Sequence, residues 1–261
     1  MRNLLVVSGL VTITALSGVS VAAVKRVSYP EVKVKVEPEY KPDAAFATMR
    51  NAMAQAVANK ESNALFALIA PTFVWTIQGQ LASELDLGRD RLHNFKVVFG
   101  FRANGADIDG GVENGPFWDT LAALAEDGSF YQSGQSGNLV CSPAAAEVTD
   151  ESIFEQAHKK IASGEEEAEW YFTLAETGVA KSPNDSGRPI ANVGHVALPV
   201  LSVYPTQGDA PSPPTHFEVL LPSGTSGWVP VSAVRPLVTD RLCYAKSPNG
   251  EWGIAIYDQA E

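Results

Sequence analysis

Residues 216–235, HFEVLLPSGTSGWVPVSAVR, decide how the second half of this chain is read. Two β-rich runs, 216–221 and 227–235, flank Pro222-Ser223-Gly224, so the segment predicts two strands joined by a tight turn. Gly224 and Gly227 give the backbone the freedom that turn needs, and Trp228 and Val229 fall on opposite faces of the strand that follows.

Working outward, further short strands are predicted at 170–174, 178–181, 193–204, 241–246 and 251–257. Turns fall at 182–187, 211–214 and 247–250. Seven short strands punctuated by Gly and Pro predict a small β-barrel rather than a parallel sheet. The last two, with Trp252, Ile254 and Ile256 alternating, predict a hairpin that packs back on the barrel or on the preceding domain. Upstream of Glu165 the periodicity is helical. Phe46, Met49, Met53 and Val57 share one helical face, and a second helix from Ser62 buries Leu65, Leu68 and Ile69 before Pro71 stops it. A strand is predicted at 72–78, while 85–101 suits a helix end and a strand equally. Gly115-Pro116 opens a helix with Phe117, Leu121 and Leu124 inward, and a last one over 150–163 turns Ile153, Phe154, Ala157 and Ile161 inward. Residues 24–42, rich in Pro, Lys and Val, read as an extended tether.

The order Gly178-Val179-Ala180-Lys181-Ser182-Pro183, Val200-Leu201-Ser202-Val203 and then 217–230 with its Gly227-Trp228-Val229 step resembles bacterial SH3-like (SH3b) domains. The resemblance covers residues 167–239. The insertion 207–214 and the continuation past 240 depart from the usual module. The expected fold class is α+β: a signal peptide (1–23), a linker (24–42), a small mostly helical domain (43–163), and an SH3-like β-barrel with an extra C-terminal β-hairpin (164–261).

The first residues set the compartment. Arg2, the apolar run over 4–16 and the small residues Ser20-Val21-Ala22-Ala23 have the three parts of a secretory signal, with cleavage after Ala22 or Ala23. An uncleaved anchor in the inner membrane is the alternative, and the chain is otherwise expected to be periplasmic or secreted. Cys141 and Cys243 are the two cysteines of the 261 residues, the pattern of one structural disulfide in an exported protein. That bond is expected to lock the two domains together. Nineteen basic against thirty acidic side chains give a net charge of -11, which repels phosphate backbones and makes nucleic acid an unsuitable partner.

Catalytic patterns are sparse. His93, His158, His195 and His216 lie in separate elements without metal-ligand spacing, so no metal and no cofactor are expected. Gly134-Gln135-Ser136-Gly137 and Gly224-Thr225-Ser226-Gly227 do not complete a nucleophile elbow and read as turns. Residues 107–114, DIDGGVEN, read as a surface loop rather than a calcium site, because Gly and Glu stand at the wrong positions. Aromatic residues crowd the strand-rich part. Trp170, Tyr204 and Trp228 are the candidate ligand-binding residues, although filling the small barrel core is the favoured reading of Trp228, as of Trp252. The expectation is an exported, non-enzymatic envelope protein that binds a peptide, a peptidoglycan stem or an envelope protein through the SH3-like domain. Two alternatives stand beside it: a periplasmic hydrolase with a carboxylate pair in the helical domain, and a structural or assembly subunit with no small ligand.

Overall fold

The computed structural model describes residues 24–83, 85–101, 117–133, 139–162, 168–205 and 213–260. Residues 1–23, read as a signal peptide, lie outside the described residues, as do 107–114, Gly134 to Gly137, Gly115-Pro116 and most of the 207–214 insertion. The chain opens with β1 (Val32–Val36), where Val32 and Val34 are buried and the intervening lysines face water. It continues through α1 (Ala44–Ala58), α2 (Ser62–Ala67), β2 (Ile69–Ile77), β3 (Gln80–Leu81), α3 (Arg91–Val98) and α4 (Trp118–Glu126). Three short strands follow, β4 (Tyr131–Ser133), β5 (Leu139–Ser142) and β6 (Ala146–Val148), and then α5 (Glu151–Ile161). The remainder is β7 (Trp170–Thr173), β8 (Thr177–Val179), β9 (Ala191–Val193), β10 (Val196–Tyr204), β11 (His216–Leu220), β12 (Ser226–Pro230), a turn of 3-10 helix at Val231–Ala233, β13 (Val234–Pro236), β14 (Arg241–Lys246) and β15 (Trp252–Gln259).

Local chemistry places the helix starts. Asp43 accepts the Phe46 N–H at 2.7 Å, Asp90 that of His93 at 2.9 Å and Asp150 that of Ser152 at 2.9 Å. Each satisfies a donor that the first turn leaves free. The Phe46 N–H, helped by Lys246, also holds the Asp43 carboxyl below its ordinary pKa.

Two large sheets organise the molecule. The first runs β3-β2-β15-β14-β5-β4, with β2 and β15 parallel and the other neighbours antiparallel. Val140, Leu242, Tyr244 and Ile254 on it share a core with Phe46 and Met53 of α1, Phe95 of α3 and Leu121 of α4. A separate cluster joins Cys141, Cys243 and Tyr131, with Ile256 packed against it. Cys141 and Cys243 stand directly opposite each other on β5 and β14 and form a disulfide. The bond therefore staples neighbouring strands of one sheet instead of locking two domains.

The second sheet runs β12-β11-β10-β1-β6, with β7 pairing both β10 and β13, and β8 and β9 form a separate two-stranded ribbon. Here the expected fold class is corrected. None of the three sheets closes into a barrel, because β12 meets the ribbon through an isolated bridge between Ala180 and Trp228, and β1 lies along β10 with Val32 opposite Ala197. Residues 43–163 are not mostly helical either, since β2 to β6 lie within them and the described residues hold five short helices among fifteen strands. Strands such as Ala-Glu-Val at β6 are too short to show a period of two. The tether reading of 24–42 is corrected at β1, whose Val-Lys alternation is that of a half-buried strand paired on both sides. Phe117, expected inward, is exposed.

The halves also interleave along the chain. β1 and α5, from the N-terminal part, pack into the second sheet, whereas the C-terminal β14–β15 hairpin supplies the middle of the first. Arg235 on β13 fastens the two, with its Nε 2.7 Å from Asp127 and donating to Ser129 Oγ at 3.0 Å.

Candidate binding face

Register on β10, β11 and β12 puts two rows of side chains on one face. Ser202, Glu218 and Trp228 form one row, and Tyr204, His216 and Pro230 the next. The intervening row, Val203, Phe217 and Val229, belongs to the opposite face; Val229 joins the core made by Val179, Leu198, Val219 and Val234, and Phe217 packs against it. Trp228 therefore does not fill that core. Its ring meets Tyr204 edge-on at 6.1 Å between centroids, and both residues are only partly buried. Trp228 is fixed by reciprocal backbone hydrogen bonds with Ala180, each 2.8 Å, and the Tyr204 hydroxyl accepts from Asn184 Nδ2 at 3.3 Å. Gly227 is required beside it, because a Cβ there would lie 2.5 Å from Val179 Cγ1.

Trp170, the third residue expected at the site, is elsewhere. It is 7% exposed and packs edge-on against Tyr29 at 5.9 Å and Phe154 at 5.1 Å, within the core under α5. The structure thus joins two of the three candidates and leaves Trp170 out. Trp170 borders a cavity of about 740 Å³ between α5, the start of β7 and the segment after β13, whose walls include Phe154, His158, Leu237 and Val238. Next to it, burial and then Glu169 push the Tyr171 hydroxyl up to about 12.

Sequence reasoning missed the polar part of the face. Glu218 Oε1 accepts the Ser226 hydroxyl at 2.7 Å, and Oε2 accepts that of Ser202 at 2.9 Å. The signal was present, since Glu218 alternates with His216, but knowing that it stands beside Trp228 requires the register of β11 on β12.

Chemically, this face pairs two aromatic rings with a partly buried carboxylate. Two aromatic rings offer apolar area with a polar edge, and an oriented carboxylate offers charge-assisted hydrogen bonding. The other polar cluster, around Asp127, has its valences used: Ser129 Oγ donates to Asp127 and accepts from the N–H of Ala144 at 2.9 Å as well as from Arg235. That arrangement serves as a clamp. Among the described residues no group of three or more His, Cys, Asp and Glu could hold a metal ion. Compared with known protein families, curated proteins and solved structures, the chain matches none.

Proposed function

We propose that this protein is a non-enzymatic binding protein of the bacterial cell envelope, and that the β10–β11–β12 face takes an extended peptide segment, from a peptidoglycan stem or an envelope protein. The observation that carries this reading is the partly buried Tyr204–Trp228 pair, on the face of the sheet opposite the Val179, Leu198, Val219 and Val234 cluster. Rings held in that way bind extended chains by stacking on apolar and proline-like residues at small entropic cost. The Cys141–Cys243 disulfide supports an oxidising compartment, as does the signal-like character of residues 1–23. No helix among the described residues is long and apolar enough to cross a membrane.

Co-sedimentation with purified sacculi, alongside capture from solubilised envelope protein, tests the proposal. Saturable binding by the wild type is expected, reduced at least about tenfold in Tyr204→Ala/Trp228→Ala, where two central aromatic contacts are removed. Circular dichroism of that variant should match the wild type, because neither ring is a core residue. Binding that survives the double substitution overturns the assignment of the face, and turnover of muropeptides abolished by a single substitution overturns the non-enzymatic reading.

A further inference from the structure

The residues ahead of β1 lie against the same sheet. Lys25 N–H donates to Ile161 at the end of α5, and Tyr29 N–H donates to Pro222 in the β11–β12 turn. The approach at Gly224 is close enough that a Cβ there would sit 2.8 Å from the Ser28 nitrogen. Between these points Arg26 reaches the face itself. Its Nη1 donates to Ser226 Oγ at 2.8 Å and its Nη2 to Glu218 Oε1 at 3.0 Å.

We propose that this carboxylate and hydroxyl fork is the arginine subsite of the peptide face, and that residues 24–28 are a strap whose Arg26 a partner's arginine displaces. The inference rests on the peptide-binding reading above and names the class of peptide. Three observations carry it. Two acceptors in a fork match the planar, two-armed guanidinium rather than a compact ammonium. Ser202 and Ser226 orient the Glu218 carboxylate by themselves, so the subsite stays formed when Arg26 leaves. The Glu218 side chain is 14% exposed whereas that of Arg26 is 58% exposed, so the cation is the exchangeable member of the pair. Glu218 stands directly opposite Trp228, which places a bound arginine next to the rings that hold the rest of the peptide. Tyr29 is buried, and its hydroxyl donates to the Leu220 carbonyl at 2.7 Å; it stays in place as the hinge. The net charge of -11 draws cationic segments to the surface.

The test is an NMR titration of the purified protein, following the Trp228 indole N–H, assigned by its absence in Trp228→Phe. One probe is a proline-rich hexapeptide with a central arginine, and the other carries citrulline in its place. The arginine peptide should bind about fivefold more tightly, Arg26→Gln should raise its affinity by about the same factor, and Glu218→Gln should erase the preference. Equal affinities for the two peptides, with and without Arg26, overturn the inference while leaving the peptide face intact. An arginine preference that Arg26→Gln does not alter overturns the strap. If neither peptide moves the Trp228 signal in Arg26→Gln, the inference and the peptide reading fall together.

Discussion

Arg50 is a buried cation whose partners are dipoles rather than a carboxylate. It is 7% exposed, and its Nη2 donates to the carbonyls of Leu124, Ala125 and Asp127 at 3.1, 2.8 and 2.9 Å. Those are the unsatisfied acceptors at the negative end of α4, so the charge caps a helix from a distant part of the chain. Its Nη1 donates to the hydroxyl of Tyr244, and the guanidinium lies over the Phe130 ring at 5.1 Å. For Tyr244, burial outweighs the neighbouring cation and pushes the phenol up to about 12 from 10.0. A pKa raised on folding stabilises the neutral form. The contribution of Tyr244 is therefore complete below pH 10 and is lost as pH rises through the folded value near 12. Tyr29 and Tyr257 are raised as well, by burial first and then by Glu31 and by Asp240. Urea unfolding across this range should show stability falling with pH, together with a delayed rise in tyrosinate absorbance. The fall should be shallower in Tyr244→Phe, and an unchanged slope there would remove Tyr244 from the account.

At the scale of elements, strong periodicity was legible and pairing was not. Phe46, Met49, Met53 and Val57 bury along α1 as their spacing demands, and Leu121 and Leu124 do so along α4. In α3 the spacing alone did not separate helix from strand; Asp90, which caps it, was the available sign. Pairing of the cysteines was legible from their number, but their placement on adjacent strands was not. Their separation of 102 residues defines what the bond does for the unfolded chain. Removing it by Cys141→Ala/Cys243→Ala should lower unfolding free energy by up to roughly 4 to 5 kcal/mol in the chain-entropy picture. Because β5 and β14 remain hydrogen-bonded neighbours, far-ultraviolet circular dichroism should be retained while the denaturant midpoint falls. A midpoint unchanged from the wild type would show that the unfolded chain gains little freedom when the bond is absent.

Across the whole molecule, interleaving makes the two halves interdependent. β15 lies between β2 and β14 in the first sheet, so a fragment ending at residue 163 lacks its central strands. A fragment beginning at 164 lacks β1, the strap and α5, which cover Trp170 and Phe172. Neither fragment, 43–163 or 164–261, should fold alone, and their proton NMR spectra should lack the dispersion of the intact chain. A well-dispersed spectrum from either would mean that its sheet forms without the strands the other half contributes. Cooperative unfolding with one transition is expected for the intact protein, since the Arg235–Asp127 clamp and the shared sheets couple the two halves.

The sequence by itself determined the local features: the apolar faces of the longer helices, the strand runs beyond residue 168, one disulfide and an acidic net charge. These depend on chemistry and spacing within a few residues, which periodicity and turn propensity record. Tertiary structure alone decided that the sheets stay open and that Trp170 is core. It also brought Glu218 beside Trp228 and set Arg26 on the face that carries them. Those facts depend on register between strands far apart in the chain, and register follows from the packing of whole faces, a property that no local window of sequence contains.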